Sequence, residues 1–92
     1  MSRITEKQLD AQVTYLNKLT NSPESPYVRV DGIPVAQIGN YHIYCGGGSY
    51  ALHRTANKSG GIIEITRGET KAALHGKIEA YIRGIRDAGE KV

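Results

Sequence analysis

Ninety-two residues, a formal net charge of +3 and a single cysteine describe one small globular domain with no internal disulfide. Mixed acids and bases with ordinary apolar content exclude a disordered tail. No apolar run approaches the ~20 residues that span a bilayer. The opening MSRITEKQLD lacks the apolar core of a signal peptide, so a cytoplasm is the expected location.

A chain this short buries only about two-thirds of its unfolded surface, which makes self-association an expected source of stability. Its six aromatic residues are all tyrosines, side chains that combine a stacking face with a hydroxyl.

The first predicted element is a helix over Thr5 to Leu19. Thr5 and Gln8 match a capping box, and Leu9, Val13, Leu16 and Leu19 recur at helical spacing. Glu6, Lys7, Asp10, Asn17 and Lys18 fall off that stripe. Thr20-Asn21-Ser22-Pro23 ends the helix, and Ser22 to Pro26 is a short linker. Tyr27 to Val30 and Ile33 to Ile38 read as strands joined at Asp31-Gly32, a two-residue turn whose positions favour positive φ. Pro34 cannot donate to a ladder and places this pair at a sheet edge.

Three further strands follow over Tyr41 to Cys45, Ser49 to Arg54 and Gly61 to Thr66, the last two joined by the polar loop Thr55–Gly60. Short connections imply an antiparallel meander. A second helix opens at Gly68-Glu69-Thr70 and runs to about Ala88, with Leu74, Ile78, Tyr81, Ile82 and Ile85 on its apolar face. Ala72, Gly76, Ala80, Gly84 and Ala88 recur every four residues, and interior glycines cost ~1 kcal/mol each relative to alanine. Gly76, Ala80 and Gly84 are therefore candidates for a close helix contact, within one chain or between copies. The predicted fold is α+β: a single domain over residues 1–92, with an antiparallel sheet of four to five strands and both helices on one face.

The stretch Tyr41–Arg67 concentrates the distinctive chemistry. Gly46-Gly47-Gly48 joins two strands, whereas a phosphate-cradling loop leads from a strand into a helix, so a hairpin turn is the expected role. His42, His53, His75 and Cys45 lack metal-ligand spacing, and His42 and Cys45 point to opposite faces of their strand. No nucleophile–base pair stands out, and neither a metal nor a cofactor is expected. Tyr50, Arg54, Asn57, Lys58 and Arg67, with Arg29 from the first hairpin, form the candidate ligand-binding set. An aromatic plane would take a base and the arginines phosphates. Solvated strand ends are the alternative for Arg54 and Arg67.

The segments Ile4–Leu9, Leu16-Asn17-Lys18-Leu19-Thr20, Ser22-Pro23, Ile38–His42, Leu52-His53-Arg54, Asn57, Gly60-Gly61 and Lys71 with Leu74 carry a further signal. Together they resemble a recurrent pattern of small phage proteins over nearly the whole chain. The functional family this pattern resembles is that of the Thoeris anti-defence sponges. Those oligomeric proteins sequester cyclic ADP-ribose isomers made by bacterial TIR-domain enzymes. The resemblance implies a phage-encoded homo-oligomer in the host bacterial cytoplasm that binds a cyclic nucleotide signal without turnover. A module that inhibits a host protein directly is the alternative. A nucleic-acid-binding module is a second, which the absence of a basic face disfavours.

Overall fold

A computed structural model of the protein describes residues 3–90. Its elements are α1 (Glu6–Leu19), β1 (Tyr27–Val30), β2 (Ile33–Ala36), β3 (Tyr41–Gly46), β4 (Ser49–Thr55), β5 (Ile62–Gly68) and α2 (Lys71–Glu90). The α+β class and the order of elements are those expected from the sequence. The five strands, however, divide into two sheets, a β1–β2 hairpin and a β3–β4–β5 meander.

α1 begins where the sequence places it. Thr5 Oγ1 accepts from the Gln8 N–H (3.2 Å) and Gln8 Oε1 accepts from the Thr5 N–H (2.8 Å), completing the capping box. Leu9, Val13 and Leu16 are buried, whereas Leu19 stays partly exposed at the end of the stripe. Asn17 departs from expectation and is fully buried. Its amide Nδ2 donates to the Tyr41 carbonyl (3.0 Å), and its Oδ1 accepts from the Tyr41 N–H (2.8 Å). Asn21 closes the helix in the left-handed region (φ 56°), and the Ser22 N–H donates to Asn17 O (2.8 Å).

The β1–β2 turn has φ of 51° at Asp31 and 79° at Gly32, as a two-residue turn of the primed type requires. Its strands pair Val30 with Ile33, Arg29 with Pro34, Val28 with Val35 and Tyr27 with Ala36. The hairpin does not extend the main sheet, for a backbone reason. In a two-residue hairpin the pairs at Val30–Ile33 and Val28–Val35 exchange hydrogen bonds, so Pro34 and Ala36 face outward from β2. Pro34 has no N–H, and the Ala36 N–H donates to the Lys58 carbonyl in the β4–β5 loop (3.3 Å). No donor remains on that edge for another strand.

β3 pairs with β4 and β4 with β5, both antiparallel. The helices cover the face bearing Tyr41, Ile43 and Leu52. These three join Leu9, Val13, Leu16, Leu74, Ile78 and Ile82 in one apolar core. Gln12 links the helices, its Nε2 donating to His75 O (3.0 Å) and to Glu79 Oε1 (2.9 Å). At the start of α2, Thr70 Oγ1 accepts from the Ala73 N–H (3.0 Å). A Cβ on Gly68 would lie 2.6 Å from the Leu74 nitrogen, so only glycine permits this tight passage from β5 into α2.

The small-residue stripe of α2 faces away from α1. Ala72, Gly76, Ala80, Gly84 and Ala88 are exposed, and a Cβ on Gly76 or Gly84 would meet nothing within 4 Å. A contact between this stripe and α1 of the same chain is thereby excluded. No helix among the described residues is long and apolar enough to cross a membrane.

Candidate functional site

The residues singled out in the sequence do not form one mouth. Arg54 lies at the loop end of β4, but its guanidinium packs over the Tyr41 ring, 4.7 Å from the centroid, and its Nε donates to Gly39 O (3.2 Å). It braces the Gly39 turn against the core. Tyr41 is edge-on to Tyr81 (centroids 5.9 Å), and their hydroxyls are 2.9 Å apart. Burial, reinforced by that hydrogen bond, pushes the Tyr41 phenol up to about 12.

Arg67, grouped with Arg54, Asn57 and Lys58 in the candidate set, does not lie beside them at the β4–β5 loop. It lies instead at the other end of β5, opposite Ala51, on the face the helices leave open. A bulge is the cause. Leu52 pairs with Thr66 and His53 with Glu64, so Ile65 is an extra residue that reverses the alternation beyond it. Glu64 and Arg67, three apart, consequently share a face, and Arg67 Nη2 lies 2.5 Å from Glu64 Oε1. Hydrogen bonding to Arg67 holds the Glu64 carboxyl below its usual range, and the same pairing raises Arg67. Arg67 also donates to the Ser49 hydroxyl.

Asn57 is occupied with its own loop, its Oδ1 accepting from the N–H groups of Ser59 (3.0 Å) and Gly61 (2.9 Å). Lys58 contributes its carbonyl to Ala36, and its side chain is exposed. Arg29 donates to Gly32 O (2.8 Å) within the first hairpin. Arg54, Asn57 and Lys58 thus share one end of the meander. Tyr50 and Arg67 belong to the other, on opposite faces.

Two clusters stand out in their place. On the open face of the sheet, the Tyr44 ring stacks on His53 (centroids 4.8 Å, planes 11° apart) and His42 meets His53 edge-on (5.9 Å). His53 Nε2 is 3.8 Å from Glu64 Oε1. Burial, followed by the proximity of His53, lowers the His42 pKa, partly offset by its bond to Asn40. A Cβ on Gly46 would come within 2.7 Å of the Tyr44 hydroxyl, so glycine there lets that ring lie flat. Among the described residues no three of His, Cys, Asp and Glu converge as metal ligands.

The second cluster surrounds Tyr50. A cleft of about 560 Å³ is lined by Arg3, Ile4, Gly48, Tyr50, Glu69, Thr70, Lys71 and Ala72. Lys71 Nζ lies 5.9 Å from the Tyr50 ring centroid. Helix geometry leaves the N–H groups of Lys71 and Ala72 without intrahelical acceptors, at the positive end of the α2 dipole. A smaller cleft of about 200 Å³ lies on the other side of Tyr50, against Glu6, Leu9, Asp10, Ile43 and Cys45. Of these lining residues the sequence singles out Tyr50 but not Arg3 or Lys71, which lie outside the Tyr41–Arg67 stretch. One signal was available: the first turn of α2 carries no acid and begins with a lysine, the reverse of what a helix dipole favours.

No family model, curated protein or solved structure matches this chain.

Proposed function

We propose that the protein is a binding protein, phage-encoded and homo-oligomeric, that sequesters a cyclic nucleotide signal of the cyclic ADP-ribose type without turning it over. The observation that carries this reading is the cleft at Tyr50. Its volume of about 560 Å³ suits a ligand of that size. Arg3, Lys71 and the N-terminus of α2 supply positive charge for phosphate oxygens. The tyrosine offers a ring to a base, and the Glu69 carboxylate offers an acceptor to ribose hydroxyls. Such a site holds a nucleotide by its charges and its plane, and the retained signal no longer reaches its receptor.

Titration calorimetry with cyclic ADP-ribose isomers, linear ADP-ribose and cyclic dinucleotides tests the reading. Micromolar or tighter binding with intact ligand recovered is the expected result. Replacing Lys71 by Ala should weaken binding about tenfold, the loss of one charge-assisted contact. Arg54→Ala should leave affinity unchanged, because Arg54 serves Tyr41 and Gly39. No heat with any of these ligands, or recovery of cleaved ligand, overturns the proposal.

The second reading, inhibition of a host protein by direct contact, draws support from Ile62 and Ile63, two exposed aliphatic side chains that open the edge strand β5. It predicts a stable complex with a host protein and no small-molecule affinity.

A further inference from the structure

The β1–β2 hairpin is the least self-sufficient part of the molecule. Every residue of β1 is exposed. An isolated two-stranded hairpin is at best marginally stable in water. The pairing places Val28, Val30, Ile33 and Val35 on one face, four branched aliphatic side chains with no polar atom among them. Val28, Val30 and Ile33 are 44%, 52% and 65% exposed. The hairpin's two edges differ. Pro34 and the Ala36–Lys58 bond remove the outward donors of β2. The outward groups of β1 are the backbone N–H and C=O of Tyr27 and Arg29, which the same alternation turns away from β2.

We propose that β1 pairs antiparallel with β1 of a second copy of this chain, across a two-fold axis at Val28, to build a four-stranded sheet of two hairpins. Side-chain complementarity selects both the occupant and the register. Centred on Val28, the pairing sets Tyr27 opposite the partner's Arg29, and Arg29 opposite the partner's Tyr27. A guanidinium then meets an aromatic ring twice on one face, and Val28 meets its own copy on the aliphatic face. Tyr27 and Arg29 exchange backbone hydrogen bonds with their opposites, so every outward donor of β1 finds an acceptor. Centred on Arg29, the same strands would set two guanidinium groups against each other, which is unfavourable. The hairpin bears one Arg and one Asp, so its charges cancel and two copies approach without the repulsion a net charge of +3 would otherwise bring. A surface lacking net charge and matching itself under a two-fold is the mark of an isologous contact. The pairing requires no ligand.

Light scattering on a sizing column and disulfide trapping test it together. The wild-type chain should elute at twice the chain mass or an even multiple. Arg29→Pro removes one outward donor without touching a backbone bond inside the hairpin, as Pro34 does on β2, and gives up besides it the side-chain bond from Arg29 to Gly32 O. It should halve the mass while circular dichroism stays unchanged. In a Cys45→Ser background, Val28→Cys should form an intermolecular disulfide on mild oxidation. Directly opposed residues at a non-hydrogen-bonded site stand about 4.5 Å apart, within disulfide reach. Val30→Cys, opposite Pro26 of the other copy, should not. A monomeric wild type overturns the proposal. So does an assembly that survives Arg29→Pro without Val28→Cys trapping, or one lost in Gly84→Leu but kept in Arg29→Pro.

Discussion

Asn17 and Tyr41 exchange two hydrogen bonds, the side-chain amide of one standing in for a strand neighbour of the other. β3 is an edge strand, and at Tyr41 its outward backbone groups are buried beneath α1 with no further strand to satisfy them. The carboxamide supplies one donor and one acceptor at the spacing a backbone would, and so pins α1 to the sheet. Asn17→Leu has similar volume and leaves both Tyr41 groups buried without partners, at ~1–3 kcal/mol each. A loss of about 3 kcal/mol is expected in urea unfolding. A change below the noise of the melt would remove Asn17 from this role.

The same residue shows where sequence reading stops. Helical periodicity places Asn17 off the apolar stripe, and polar type argues for exposure. Only the position of β3 reveals a backbone in need of an amide. The helix boundaries, the Asp31-Gly32 turn and the meander were legible, because local chemistry decides them: Thr5 with Gln8, positive φ at two adjacent residues, and short polar connections. The face of Arg67 was not. It depends on one extra residue at Ile65, and nothing in GIIEITRG marks a bulge at that position. The division into two sheets was half-legible. Pro34 announces an edge, but the bond from Ala36 to Lys58 that seals it joins residues far apart in the chain. The Tyr50 cleft gathers the N-terminal segment, the β3–β4 turn and the start of α2, a convergence that no spacing within one stretch could reveal.

The glycines separate by what surrounds them. Gly76→Ala and Gly84→Ala add a methyl to open space in a helix interior, and each should raise stability by about 1 kcal/mol. Gly68→Ala drives a methyl into the Leu74 backbone, which cannot move without unseating α2, and should cost about 2 kcal/mol or more. Gly46→Ala displaces Tyr44, an exposed side chain with room to turn, so its cost should be about 1 kcal/mol, mainly the lost stacking on His53. Thermal melts of the four variants give the order directly. A destabilised Gly84→Ala would mean that the stripe is occupied in the native assembly.

Tyr41 makes a prediction at high pH. Its phenol is raised from 10.0 to about 12 in the folded chain. A group raised on folding contributes stability that is complete below its unfolded value and is lost as the pH climbs toward the folded one. Stability should therefore decline between pH 10 and about 12. Tyr41→Phe, which keeps the ring under Arg54 and cannot ionise, should flatten that decline. Absorbance titration near the phenolate band should show one tyrosine ionising only as the fold is lost. A wild-type profile matching Tyr41→Phe across the window would dismiss the phenol as its source.

His42 works in the opposite direction at low pH. Asn40 Nδ2 donates to the Pro23 carbonyl (2.8 Å), which can only accept, so Asn40 Oδ1 faces the imidazole. His42 Nδ1 lies 3.0 Å from that oxygen and therefore carries the proton. Burial beside His53 opposes a second proton and lowers the pKa below 6.5. A depressed basic group contributes stability that is present above its unfolded value and lost as the pH falls toward its folded one. The melting temperature should thus be flat from pH 6.5 up to the Tyr41 window that opens at pH 10, and drop below 6.5. Substituting Gln for His42 removes the titrating ring, and the variant should lose less stability over the same acid range. Imidazole proton shifts followed by NMR assign the step to a residue. A His42 midpoint above 6.5, or an acid drop undiminished in His42→Gln, would place the source elsewhere.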